Sequence, residues 1–153
     1  MNDNTALTQL LSIMKTLRDP KGGCPWDLKQ DFKSIVPHTL EEAYEVADCI
    51  ESGNLDELKG ELGDLLFQIV FYAQLAQEQN LFDFNDLVEQ LNDKLTRRHP
   101  HVFGEKKELT DDQLSQQWQA IKAQERSAKA QIESPSFWQD IPGNMPSLSK
   151  AKK

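Results

Sequence analysis

The sequence is poor in the features that hold extracellular domains together or carry a chain through a membrane. Only two of its 153 residues are cysteine, Cys24 and Cys49. That is too few for a disulfide framework, so a reducing cytoplasm is the expected location. No stretch approaches the roughly 18 consecutive apolar residues of a membrane span. Met1 to Thr8 has neither the basic nor the apolar region of a secretory leader. No segment alternates apolar and polar residues with period two for long enough to read as a strand.

What is present is acid, and it is concentrated. The chain carries a formal net charge of −8, which argues against a general nucleic-acid binder, because phosphate contacts need basic surface. Between Glu41 and Asp64 stand nine acids (Glu41, Glu42, Glu45, Asp48, Glu51, Asp56, Glu57, Glu61 and Asp64) against the single base Lys59, and outside that window the charges balance.

Apolar spacing predicts five helices. The first covers about Ala6 to Leu17 and ends before Asp19-Pro20, and Lys21 to Asp27 reads as a loop. The second is expected after Pro37, with Thr39 as N-cap and Glu42 closing a capping box, and it ends at Ser52-Gly53. Asn54 caps a third, whose run Leu65 to Ala76 is apolar on most sides and is expected to lie buried among several neighbours. Asp83 caps a fourth, which stops near His99 because Pro100 disfavours helix before it. Thr110 opens a fifth, from about Asp111 to Ala130, with Leu114, Trp118 and Ile121 on one side. The expectation is an all-α domain over residues 1–130. Residues 131–153, with Pro135, Pro142, Gly143 and Pro146, are expected to form an irregular tail or linker, and Ser149 to Lys153 read as the start of a further helix.

On a helical wheel Leu40, Ala43, Tyr44, Ala47 and Ile50 point one way, while Glu41, Glu42, Glu45 and Asp48 span roughly 120° on the other side. On the next helix Glu61 and Asp64 share a face that Glu57 and Gln68 extend. A two-residue connection, Gly53-Asn54, makes the helices antiparallel, so the acidic faces can converge. Carboxylates within about 4–6 Å of one another repel unless some stay protonated or a cation joins them. An all-oxygen donor set suits magnesium, or manganese as a substitute, rather than zinc, and magnesium with open positions suits phosphate substrates. The ordinary reading of such glutamates is a solvated helix face, and Glu42 has the capping box as a rival duty. Gly60 and Gly63 weigh against it, since glycine inside a helix costs about 1 kcal/mol relative to alanine and permits close approach of backbone or ligand.

Thr39-Leu40-Glu41-Glu42-Ala43-Tyr44-Glu45 followed by Gly60-Glu61-Leu62-Gly63-Asp64-Leu65-Leu66 resembles the MazG-type nucleoside triphosphate pyrophosphohydrolases, of the all-α group that includes dimeric dUTPases and phosphoribosyl-ATP pyrophosphohydrolase. Leu17 to Pro20, Gly23 to Asp27 and Lys94 to Phe103 extend the match, which covers roughly Leu10 to Glu125. The resemblance implies a four-helix-bundle-like fold with an additional C-terminal helix. It further implies magnesium ligands at Glu42, Glu45, Glu61 and Asp64, with Glu41 assisting at the edge of the site or orienting water. By the same resemblance Lys94 and Arg98 bind the triphosphate and Trp118 contacts the nucleotide.

Plain readings stand beside these. Lys94, Arg97 and Arg98 near a helix C-terminus also complement its dipole. Trp118 at helical spacing with Leu114 and Ile121 also suits a core. Trp26, in a proline-bounded loop, suits a lid, a base contact or a loop anchor. The implied reaction is hydrolysis of nucleoside triphosphates to monophosphate and pyrophosphate, with broad base tolerance and a house-cleaning role. The implied assembly is a homodimer or a higher even oligomer, although helices one and five offer cover for the third helix within one chain. Full-length bacterial relatives often carry two copies of the domain, so a second copy beyond residue 153 is expected, and that copy is the alternative seat of catalysis. The rival functions are a catalytically weak helical dimerisation or regulatory domain, and a same-fold enzyme restricted to dUTP or a phosphoribosyl nucleotide.

Overall fold

The structure, a computed structural model, describes residues 5–130 and 142–143. Among these residues it is all-helical, in the order α1 Thr5–Leu17, α2 Pro25–Lys29, α3 Phe32–Glu51, α4 Leu55–Glu78, α5 Phe84–Arg98, α6 Pro100–Phe103 and α7 Asp111–Ala130. No helix among the described residues is long and apolar enough to cross a membrane. The chain divides within α5 into two compact units, one ending at Asn92 and one beginning at Asp93. The tail expected over residues 131–153, with its helix start at Ser149, lies outside the described residues apart from Pro142 and Gly143.

In the first unit α3 and α4 form an antiparallel pair joined by a tight turn, and α1 packs on α4. Gly53 makes that turn with φ +76°, a left-handed conformation that only glycine adopts without strain. Met14, Ile35, Val70, Phe71 and Leu75 form the buried centre, with Leu10, Leu11, Phe32, Phe67, Tyr72 and Phe84 packed around it. All these central residues of α4 lie in its C-terminal half. The helix is not surrounded on all sides as expected, for Leu62 and Leu66 in its N-terminal half and Ile69 just beyond it remain exposed, as do Leu40, Tyr44 and Ile50 on the apolar face of α3.

Helix starts depart from expectation where a nearer cap competes. The helix read as starting after Pro37 starts at Phe32, because Asp31 and Ser34 form a reciprocal capping box. Pro37 then sits inside α3, where its missing N–H leaves the Lys33 carbonyl without a helical partner. Thr39 is therefore not a cap. Its hydroxyl bonds the Ile35 carbonyl and lies 2.6 Å from the Tyr72 hydroxyl of α4. Asn54 stands at the N-cap of α4 but its side chain makes no cap bond. The expected loop Lys21 to Asp27 gives way to α2 from Pro25, with proline in its favoured first-turn place. Arg18 anchors this segment by donating to the Asp27 and Gln30 carbonyls, pairing with Glu78 and lying over the Phe71 ring.

In the second unit α7 opens on the expected Thr110, paired reciprocally with Gln113. Leu114, Trp118 and Ile121 are half-buried along one side of it.

Candidate metal centre

The α3 face turned toward α4 is a mixed stripe. Ile35 and Cys49 are buried, Thr39 bonds Tyr72, and Glu42 lies between them, half-buried. The side chain of Glu42 has no capping duty, because the cap sits eleven residues earlier at Asp31. The rival reading of Glu42 as a capping residue is thereby removed.

One carboxylate oxygen from each of Glu42, Glu45 and Glu61 lies within 4.8 Å of the other two. Glu42 and Glu61 are half-buried, and Glu45 is exposed. Glu42 is pushed up to about 6, first by burial, then by Glu45 at hydrogen-bonding range and by the charges of Glu45, Asp64 and Glu61. Burial and then Glu45 raise Glu61 as well, with further charge from Asp64 and Glu57. Two carboxylates so close share a hydrogen bond only if one of them keeps a proton. Ionised, they are acceptors alone, and Oε2 of Glu42 and Oε2 of Glu61 are buried with no donor among the described residues.

These oxygens fit a hard divalent cation. A buried acceptor without a donor is costly, and clustered like charges add to the cost. A cation bound by several oxygens relieves both at once. Asp64 lies outside the close triad, yet its charge raises Glu42 and Glu61. Glu41 is exposed and also outside the triad. Gly60 and Gly63 do not serve close packing in this chain, since a Cβ at either position meets nothing within 4 Å.

The basic residues behave differently. Arg97 and Arg98 both donate to Glu125, with Arg98 Nη2 at 2.6 Å from Oε2 and Arg97 Nη2 at 2.8 Å from Oε1. Arg98 also lies over the Trp118 ring at 5.1 Å, and His99 meets that ring edge-on at 5.5 Å. These two arginines pull the Glu125 carboxyl down to about 2, Arg98 first. Lys94 is half-buried one turn before Arg98. Trp26 is 48% exposed on α2 and packs edge-on against His38 at 5.6 Å.

Sequence reasoning missed Glu125, because nothing local marks a partner 27 residues away from Arg98. It placed Gln68 on the acidic face but gave it no role in the site, although a signal existed: a lone amide inside the apolar run Leu65 to Ala73. Gln68 is buried at 6% exposure and its Oε1 has no donor.

Comparison with known proteins converges on one family. Residues 30–103 match the MazG nucleotide pyrophosphohydrolase domain. A protein of Escherichia coli named nucleoside triphosphate pyrophosphohydrolase is 52% identical over 147 residues, covering 96% of this chain and 55% of its own length. A protein of Thermotoga maritima named nucleoside triphosphate pyrophosphohydrolase/pyrophosphatase MazG is 43% identical over 145 residues, covering 95% of this chain and 53% of its own. The chain thus spans about half the length of these curated relatives. The crystal structure of a mazG-related protein from Thermotoga maritima superposes with a TM-score of 0.64 at 25% identity, over 76% of this chain and 98% of that one. Residues 30–103 of the chain are thus a MazG nucleotide pyrophosphohydrolase domain.

Proposed function

We propose that this chain hydrolyses nucleoside triphosphates to a monophosphate and pyrophosphate at a magnesium centre built from Glu42, Glu45, Glu61 and Asp64. The observation that carries the reading is the triad of carboxylate oxygens within 4.8 Å, two of its members offering buried oxygens without donors. The names of the relatives supply the reaction class. An all-oxygen donor set favours magnesium, with manganese as substitute.

When bound, the cation would supply Lewis acidity to the phosphate oxygens and lower the pKa of water. The chain's own residues do the rest. Glu42, Glu45, Glu61 and Asp64 hold the cation, and Glu41 at the edge is assigned to orienting water. Lys94 and Arg98 are assigned, on the family's pattern, to the charge that builds on the leaving pyrophosphate. Arg98 must exchange Glu125 for phosphate to do so. Trp118 and the exposed Trp26 are the assigned base contacts. The reading includes broad base tolerance and a cytoplasmic setting.

It also includes a dimer. Leu40, Tyr44 and Ile50 on α3 and Leu62, Leu66 and Ile69 on α4 are all more than one-third exposed, more large apolar surface than a lone helix pair leaves to water. A two-fold partner would cover such a face. Sedimentation equilibrium at low micromolar concentration tests this, and a folded, active monomer there overturns it.

The decisive assay is incubation with a panel of ribo- and deoxynucleoside triphosphates plus magnesium, with chromatography of the products. Monophosphate and pyrophosphate from several substrates are expected. Diphosphate and phosphate, or no turnover despite magnesium binding, would overturn the reading. Turnover of dUTP alone would narrow it to one substrate.

A further inference from the structure

Gln68 has a buried oxygen acceptor that nothing among the described residues satisfies. It is 6% exposed, it stands between Phe67 and Ile69 in the apolar half of α4, and its Oε1 has no hydrogen-bond donor among those residues. Buried polar side chains without a partner are rare in folded proteins and point to an absent ligand, ion or water. An apolar residue of the same length would fit this interior without that cost.

Its place in the helix pair gives the reason. Gln68 follows Asp64 by four residues and Glu61 by seven, so at ~100° per residue it lies about 40° and 20° from them around the axis of α4. The Thr39–Tyr72 contact of 2.6 Å fixes the register of α3 against α4. From that contact, three residues along α3 lead to Glu42 and four residues back along α4 lead to Gln68. At a rise of about 1.5 Å per residue these are steps of roughly 4.5 and 6 Å in the same direction. Gln68 therefore sits at the level of Glu42, at the inner end of the acidic stripe.

Three buried oxygens without donors, on Glu42, Glu61 and Gln68, belong to this one stretch of the α3–α4 pair. Two of them belong to ionisable carboxyls and one to a neutral amide. A hydrated divalent cation has both positive charge for the carboxylates and water protons for a neutral acceptor. The geometry points to Gln68 as a further, positioning residue of the divalent-cation site, its Oε1 accepting from the hydration shell of the ion. The inference rests on the metal reading of the preceding subsection.

Manganese alone, titrated into the full chain and followed by the electron paramagnetic resonance of the free ion, separates the possibilities without any turnover. Gln68→Met keeps length and packing but removes the acceptor. It is expected to weaken Mn2+ binding by about 10–100-fold, the usual loss for groups that support metal ligands. Its thermal midpoint in chelator should equal or exceed that of the parent, since an orphaned acceptor has gone. Gln68→Glu restores an acceptor and should recover Mn2+ binding to the parent level or beyond, while lowering the midpoint in chelator. Parent-like Mn2+ affinity in Gln68→Met, or weakened binding in Gln68→Glu equal to that of Gln68→Met, would overturn the role of Gln68. Absence of Mn2+ binding in the parent would instead overturn the metal centre itself, and this inference with it.

Discussion

Glutamate meets opposite fates in two regions of this chain. At the α3–α4 pair, Glu42 and Glu61 are gathered with Glu45 and Asp64, their carboxyls are raised, and each has a buried oxygen without a donor. In the second unit, Glu125 receives five hydrogen bonds from two arginines and is held down to about 2. The residue type and the helical setting are shared. The difference is whether the fold supplies the opposite charge. Glu125 is satisfied from within, so it reads as architecture. Nothing among the described residues donates to the buried oxygens of the acidic group, so it reads as a candidate site. Unmet electrostatic demand, rather than acidity, is what separates them.

The largest effect should come from removing that demand. Glu42→Gln, Glu45→Gln or Glu61→Gln is expected to lower the rate of pyrophosphate release by more than about 100-fold, beyond the usual loss for residues that merely support a ligand. Asp64→Asn is expected to follow them. The thermal midpoint of each variant in chelator should match the parent or rise, since each change removes repulsion. Near-parent rates in any two of these variants would dissolve the contrast with Glu125.

The five long helices were readable because their apolar spacing is regular, and four of their five expected starts survive, while the short α2 and α6 were not expected. The start expected after Pro37 gives way to Asp31, which caps α3 with Ser34, a partner outside the usual Glu or Gln pattern. Part of the acidic group was legible for a physical reason. Carboxylates at i, i+3 and i+4 on two helices joined by a short turn can meet, and the structure brings Glu42, Glu45 and Glu61 together while Asp64 and Glu41 stay outside the triad. Glu125 was not legible, because its pairing spans 27 residues and depends on how α5 and α7 pack. The exposure of the first half of α4 was also hidden, since periodicity reports which face is apolar but not what covers it. Gly60 and Gly63 were visible, yet the structure assigns them open space rather than close contact.

A smaller effect is expected from breaking the satisfied glutamate. Glu125→Gln leaves Arg97 and Arg98 without a counter-charge and should lower the thermal midpoint at pH 7. The folded-state carboxyl lies near 2, whereas an unfolded glutamate titrates near ~4.3. Its contribution is therefore present above about pH 4.3 and is lost as the pH falls through about 2. Parent and Glu125→Gln should differ fully at pH 7 and converge toward pH 2, as followed by circular dichroism. A gap that persists at pH 2 would mean that packing, not charge, accounts for Glu125.

The smallest effect should have the opposite sign, and it tests the frustrated side of the comparison. Glu42 titrates near 6 in the folded protein, above the ~4.3 of an unfolded glutamate. Between those values the folded state holds the extra proton, so its stability contribution is full below about pH 4.3 and falls as the pH rises through 6. In chelator, the parent should lose midpoint relative to Glu42→Gln as the pH goes from 5 to 7.5, because the variant has no proton to give up. Magnesium should reverse the order at pH 7.5, since the cation binds the ionised ligands of the parent and stabilises the folded state by mass action. Differential scanning fluorimetry of the two proteins at four pH values, with chelator and with magnesium, measures both trends. If the parent instead gains on Glu42→Gln as the pH rises in chelator, an internal cation already neutralises the group. The distinction from Glu125 would then vanish.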